Sequence, residues 1–249
     1  MKITNTLPTD WRDLESKVCE LLNEAGYKAE NSKTIDTVRG SVNVDVYATS
    51  ENELINQFIC ECKYWNTPVP KEKIHAFRTV VHDSGCMVGI FISKNGFQSG
   101  AIEAAYCSNV LLKTWDEFLK LIENQWVMNQ IKKVQMIARP LSVYTDLLDV
   151  PLYNLIEEEK NEYTKITEEC LEEYFICRTL NWKNYLEDSV KVRGRDFVAL
   201  DDLLLHMESK LTSAIEKYKK LFRNYPVEEW KFESNDHLIF PLINGISIE

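Results

Sequence analysis

The sequence predicts an α/β domain built on a mixed β-sheet flanked by helices, followed by a mostly α-helical C-terminal region. Three observations carry this. Over the first 120 residues, apolar or β-branched runs of strand length alternate with stretches of helical period. The first two runs are separated only by a tight turn, so they pair antiparallel, whereas the later ones are joined by helices, as parallel strands are. Beyond Lys120 the strand-like runs give way to long periodic segments punctuated by Pro140 and Pro151.

Taken in order, Thr9 or Asp10 caps a helix from Trp11 to about Ala25, whose Leu14, Val18, Leu21 and Leu22 share one face and which Gly26 ends. Thr34–Arg39 and Val42–Ala48 read as strands around a Gly40-Ser41 turn, Thr49–Asn56 as a loop and Gln57–Trp65 as a third strand. Pro68 and Pro70 precede a helix from Lys71 to about His82. Met87–Ser93 is an apolar run suited to a strand buried on both faces. A helix over Ser99–Cys107 and a strand over Val110–Lys113 follow, and Thr114-Trp115-Asp116-Glu117 has capping-box spacing for the next helix. Residues 1–120 therefore form one domain and residues 121–249 a second, helical one. In the latter, Leu121–Ile137, Leu152–Leu186 and Leu200–Asn224 read as helices, Val190–Phe197 as a loop or short hairpin, and His237–Ile248 as an edge strand or docking tail.

Composition narrows the function. Of 249 residues 45% are hydrophobic and 27% charged, enough apolar material for a core and too much for a wholly disordered chain. The longest apolar runs, such as Met87–Ile92 and Leu238–Pro241, fall far short of the ~20 residues that span a bilayer. The first residues lack the apolar stretch of a signal peptide, which predicts a cytoplasmic protein. The seven cysteines (Cys19, Cys60, Cys62, Cys86, Cys107, Cys170 and Cys177) form no C-x-x-C pair, so free thiols are expected, with neither a disulfide framework nor a zinc site. The net charge of −10 argues against a non-specific nucleic-acid coat, although an enzyme can gather its basic residues on one face. Residues 1–120 contribute −3 and the remainder −7.

The chemistry lies between Asp45 and Lys63. Asp45 interrupts the β-branched run Val42–Val46, and Glu61 and Lys63 share a strand face in Phe58-Ile59-Cys60-Glu61-Cys62-Lys63. The short loop between the strands makes them hairpin partners, so Asp45 is expected opposite Glu61. Taken alone, an acid-x-lysine triplet on a strand is an ordinary ion pair worth ~0.2–1 kcal/mol. Here three charges stand where a structural strand would prefer Val or Ile. Two carboxylates can hold a hard divalent cation, and a neighbouring lysine can orient or help deprotonate the attacking water. Glu15, on the first helix, can bring a further carboxylate to the same patch.

Together with the Glu15 helix, the series Gly26-Tyr27, Val44-Asp45-Val46, Cys60-Glu61-Cys62-Lys63-Tyr64-Trp65, Pro68-Val69, Gly89–Ser93, Gly96–Ala101 and Leu112-Lys113-Thr114 resembles the Mrr-like branch of the restriction-endonuclease (PD-(D/E)xK) superfamily over residues 10–120. The resemblance implies a restriction-endonuclease-like fold and a Mg²⁺-dependent endodeoxyribonuclease, with Mn²⁺ able to substitute. It assigns Asp45 and Glu61 as metal-binding acids, Lys63 as catalytic lysine and Glu15 as a helix carboxylate. Glu61 stands where Mrr proteins often carry Gln, and Arg39–Asn43 replaces their Gly/Asp-rich turn. A type IV restriction-like or phage-defence effector follows, with DNA, a second copy of the chain and a regulatory protein as its expected partners and no membrane involvement. The alternatives are a structure-specific repair or junction nuclease, an RNA-cleaving relative and a catalytically silent interaction module. Lys71, Lys73, Arg78, Lys94 and Gln98 are candidate phosphate contacts, as are Lys191, Arg193 and Arg195 around Gly194. His75 and His82 read as surface or packing residues. Trp126, Tyr153, Tyr174, Phe175, Trp182 and Tyr185 read as core or a dimer face rather than a base-stacking platform.

Overall fold

The computed structural model describes residues 1–51, 56–180 and 189–227. Trp182, Tyr185, the end of the expected Leu152–Leu186 helix and the His237–Ile248 tail lie outside the described residues. The chain divides into two compact units, residues 6–129 and residues 1–5 with 130–249.

The first unit is the expected α/β domain. It comprises α1 (Trp11–Glu24), β1 (Lys28–Thr37), β2 (Gly40–Thr49), β3 (Gln57–Lys63), α2 (Lys71–Asp83), β4 (Val88–Ser93), α3 (Ser99–Ala105), β5 (Val110–Thr114) and the first half of α4 (Trp115–Ala138). The strands form one five-stranded sheet in sequence order. β1, β2 and β3 pair antiparallel, while β4 and β5 add parallel through the α2 and α3 crossovers. Asp10 caps α1, its carboxylate accepting from Asp13 N at 2.9 Å, and Leu14, Val18, Leu21 and Leu22 are buried as the periodicity requires. α2 and α3 share a core cluster with the sheet: Ile74, Phe77, Val81 and Ala101 against Val44, Ile59, Phe91 and Val110. Gly89 makes this possible, because a Cβ there would strike Val81 and lie 2.7 Å from the Phe77 ring. At the head of α4, Thr114 N donates to Glu117 Oε2 at 2.8 Å and Glu117 N to Thr114 Oγ1 at 3.4 Å, the expected capping box.

Several boundaries differ from the sequence reading. β1 begins at Lys28 rather than Thr34. Its first residues are polar because it is the edge strand, so alternation does not reveal it. The hairpin turn is Val38-Arg39, with Gly40 at φ +117 already in β2, rather than Gly40-Ser41. β3 stops at Lys63, leaving Tyr64 and Trp65 in the connection that follows.

The second unit is predominantly helical. It comprises the end of α4, the short α5 (Leu141–Tyr144), a 3₁₀ turn at Leu152–Asn154, α6 (Glu157–Thr179), a small hairpin of β6 (Val190–Val192) and β7 (Arg195–Phe197), and α7 (Leu200–Leu221). Tyr144 stacks on Tyr218 at 5.0 Å and 7°, with Tyr163 and Phe222 beside them. The Tyr163 hydroxyl donates to Tyr144 O at 2.9 Å. Residues 1–5 join this unit: Leu200 N and Asp201 N donate to Lys2 O and Ile3 O, both at 2.9 Å, satisfying free donors at the start of α7. Among the described residues, no helix is long and apolar enough to cross a membrane.

Candidate active site

Asp45 occupies a break in the sheet. The β2–β3 ladder ends at Val46↔Cys60, one position short of the Asp45–Glu61 pair. On the other side the β1–β2 ladder passes from Asn31↔Val46 to Lys33↔Val44. The residue between, Ser32, has left-handed backbone at φ +50. A non-glycine residue in that region is held there by its surroundings, and Asn43 Nδ2 contributes by donating to Ser32 O at 3.1 Å. Released from ladder pairing, Asp45 uses its side chain instead: Oδ2 accepts from the Cys62 main-chain N–H at 2.7 Å.

That bond brings Asp45 to the end of β3, where Glu61 and Lys63 share a face. The Lys63 ammonium lies 3.3 Å from Asp45 Oδ2 and 2.5 Å from Glu61 Oε1, and donates to Cys62 O at 3.0 Å. A positive charge is thus held among three oxygens, two from carboxylates and one from the main chain. The side chains of Asp45, Glu61 and Lys63 are 22%, 26% and 21% exposed, so the cluster is partly desolvated yet reachable from solvent.

The electrostatics follow from this crowding. Burial and the Asp45 charge push the Glu61 carboxyl above its ordinary range, with Lys63 pulling the other way. For Lys63, burial opposes the charge, but Glu61 and Asp45 outweigh it and hold the ammonium above the usual lysine value. Glu15 makes no hydrogen bond to the three among the described residues, but it lies within their field. Burial first, then the Asp45 charge, raise its carboxyl to about 7, with Lys63 offsetting part of the effect. Glu15 is therefore set to change protonation near neutral pH. The flanking Cys60 and Cys62 are buried, and burial raises both thiols, keeping them protonated.

The remaining candidates separate clearly. Lys73 and Lys94 are exposed beside the segment that follows Lys63, against the rings of Trp65 and Tyr64. Arg78 is tied down by donating to Ala104 O at 2.9 Å. Lys71, Gln98 and His75 are exposed, and the exposed His82 neighbours Asp83. In the second unit Arg193 is not a free phosphate contact. Its Nε donates at 2.8 Å to the fully buried Glu173 and its Nη2 donates to Glu168 O at 2.7 Å. Arg195 lies over the Phe197 ring at 4.4 Å. Trp126 and Tyr174 are buried, whereas Tyr153 and Phe175 are exposed. What the sequence reading missed is the main-chain oxygen of Cys62, which no residue type announces, and the Ser32 backbone that frees Asp45 from its ladder.

Among the described residues, no group of three or more His, Cys, Asp or Glu side chains is arranged to hold a metal ion. The centre instead offers two carboxylates and a carbonyl. In comparisons with known proteins, residues 7–122 match the family described as "Restriction endonuclease", the Mrr catalytic family. No curated protein matches the sequence. A solved structure titled "Crystal Structure of Protein of Unknown Function AF1548" is similar at 15% identity and a TM-score of 0.40, covering 86% of this chain and 100% of its own.

Proposed function

Because residues 7–122 belong to the Mrr-like branch of the restriction-endonuclease superfamily, we propose that this protein is a metal-dependent endonuclease that hydrolyses phosphodiester bonds in DNA. One observation carries the reading: Asp45, Glu61 and Lys63 converge where the β2–β3 ladder ends, with the ammonium within 3.3 Å of both carboxylates.

The donor set fits a hard divalent cation, Mg²⁺ with Mn²⁺ as substitute, because all three oxygens facing the Lys63 ammonium are hard donors already holding positive charge. Asp45, Glu61 and the Cys62 carbonyl would hold it. Bound there, such a cation acidifies water and neutralises charge on the scissile phosphate. Lys63 stays protonated, which suits it to orient the attacking water and offset the charge growing on the phosphate rather than to act as the base. Glu15, with its carboxyl near 7, is the group suited to exchange a proton with that water at neutral pH.

One such centre cuts one strand, so double-strand cleavage calls for two copies of the chain. The family assignment favours a type IV restriction-like or phage-defence role, with the helical unit serving assembly or the recognition of substrate or a regulatory partner protein. Incubating supercoiled plasmid, modified and unmodified, with the full-length protein tests the reading. Nicked or linear product with Mg²⁺ or Mn²⁺, abolished by EDTA, is expected. Plasmid left intact under every metal and modification would contradict it.

A further inference from the structure

Immediately after Lys63 the chain runs Tyr64-Trp65-Asn66, and the structure fixes this short segment from several sides. Lys94 N donates to Lys63 O at 3.0 Å, and Asn95 Nδ2 donates to Asn66 O at 2.7 Å. The Tyr64 hydroxyl donates to Pro8 O at 3.0 Å. Further along, Val69 N donates to Gly96 O and Gln98 N to Val69 O, both at 3.0 Å. The connection from β3 to α2 is therefore fastened along the end of β4, with Tyr64 tied down through its hydroxyl and Trp65 between Lys63 and Asn66, whose main-chain carbonyls are bonded.

Each ring carries a lysine. Lys94 Nζ stands 4.1 Å from the Tyr64 ring centroid and donates to Asn66 Oδ1 at 3.1 Å. Lys73 Nζ, from the first turn of α2, stands 5.9 Å from the Trp65 ring centroid. Both lysines are exposed, and Trp65 is 36% exposed. Among the described residues neither ammonium is paired with a carboxylate, unlike Lys17, Lys33, Lys63 and Lys217. Lys73 is also close enough for its charge to act on Glu61. A ring face attracts an ammonium without neutralising it and limits the positions it visits. The arrangement thus holds two ammonium groups oriented and open to solvent at the carboxyl ends of the parallel strands β3 and β4, beside the candidate centre.

We infer that Lys73 and Lys94 form a phosphate-binding track that seats a DNA strand beside the Asp45–Glu61–Lys63 centre, with Trp65 and Tyr64 as the residues that position the two ammonium groups. The inference rests on the nuclease reading and adds to it the groups that engage the substrate. It also explains how a chain of net charge −10 binds a polyanion: the cations that matter sit at the site and are not consumed by its many acids.

The test uses the full-length protein and a short fluorescein-labelled duplex, with affinity measured by anisotropy over a range of KCl concentrations and plasmid nicking measured in parallel. Lys73→Met and Lys94→Met should each lower the slope of log affinity against log salt by about 0.9, and the arginine variants should restore it. Trp65→Leu should weaken binding several-fold and act on KM more than on kcat, with the salt slope retained and Trp65→Phe restoring affinity. A merely structural role would not give that pattern. If the wild type binds and cuts DNA while both methionine variants keep its salt slope, the track is wrong and the nuclease reading stands. If the wild type neither binds nor cuts DNA, the nuclease reading fails and the track falls with it.

Discussion

Replacing Glu15 by Gln should make the protein more stable, by an amount that grows with pH. In the folded chain this carboxyl is raised from 4.5 to about 7, by burial and then by the Asp45 charge. It therefore binds its proton roughly 300-fold more tightly than in the unfolded chain, a ceiling of ~3 kcal/mol. Glu15 is only partly buried, so solvent screening reduces the expected effect to ~1–2 kcal/mol. The sign follows from proton counting. Between 4.5 and about 7 the folded state holds more protons than the unfolded state, so stability falls as pH rises through that window. Gln mimics the protonated form and escapes the fall. Urea unfolding of wild type and Glu15→Gln without added metal should give nearly equal stabilities at pH 4.5, a widening gap through pH 7 and a plateau at pH 8 (each an approximate setting of the assay). Glu20→Gln, an exposed change on the same helix, controls for net charge. A gap that is constant with pH, or that favours the wild type at pH 8, would refute the placement of Glu15 in the field of the cluster.

Three further outcomes are expected. Gly89→Ala should destabilise the first unit by ~1–3 kcal/mol in chemical denaturation, because its Cβ would meet Phe77 at 2.7 Å. Arg193→Ala should cost on the order of 3 kcal/mol by the same measurement, since it strips the fully buried Glu173 of its 2.8 Å partner and, among the cations of the described residues, leaves it His206 at 3.5 Å. In a native thiol titration Cys107, the one exposed cysteine of seven, should react first, with the rest following on denaturation.

The parts of the fold legible in the sequence are those with local causes. α1 is announced by the spacing of Leu14, Val18 and Leu22 and by Asp10, and α4 by the Thr114–Glu117 box. The neighbourhood of Asp45, Glu61 and Lys63 is legible because charges in an apolar strand are conspicuous and the hairpin brings them together. The remainder depends on partners far along the chain. Nothing local marks the polar edge strand from Lys28, the left-handed Ser32, or the pairing of Lys2 with Ala199. Arg193 reads as a phosphate contact from its basic surroundings, and only the packing of α6 brings Glu173 beneath it. The bond from Asp45 to Cys62 N is equally invisible, since it depends on where a ladder stops.

The central claim is that Asp45, Glu61 and Lys63 work as one catalytic centre, and a mutant cycle on cleavage rate tests it most directly. Initial nicking rates would be compared for the wild type, Asp45→Asn, Lys63→Met and the double variant, all confirmed to melt as folded proteins. Each single change should lower the rate by ~10²-fold or more. The double variant should be hardly worse than either single, because groups acting as a unit lose their function together. Full activity in Asp45→Asn, or losses that multiply in the double variant, would contradict the account.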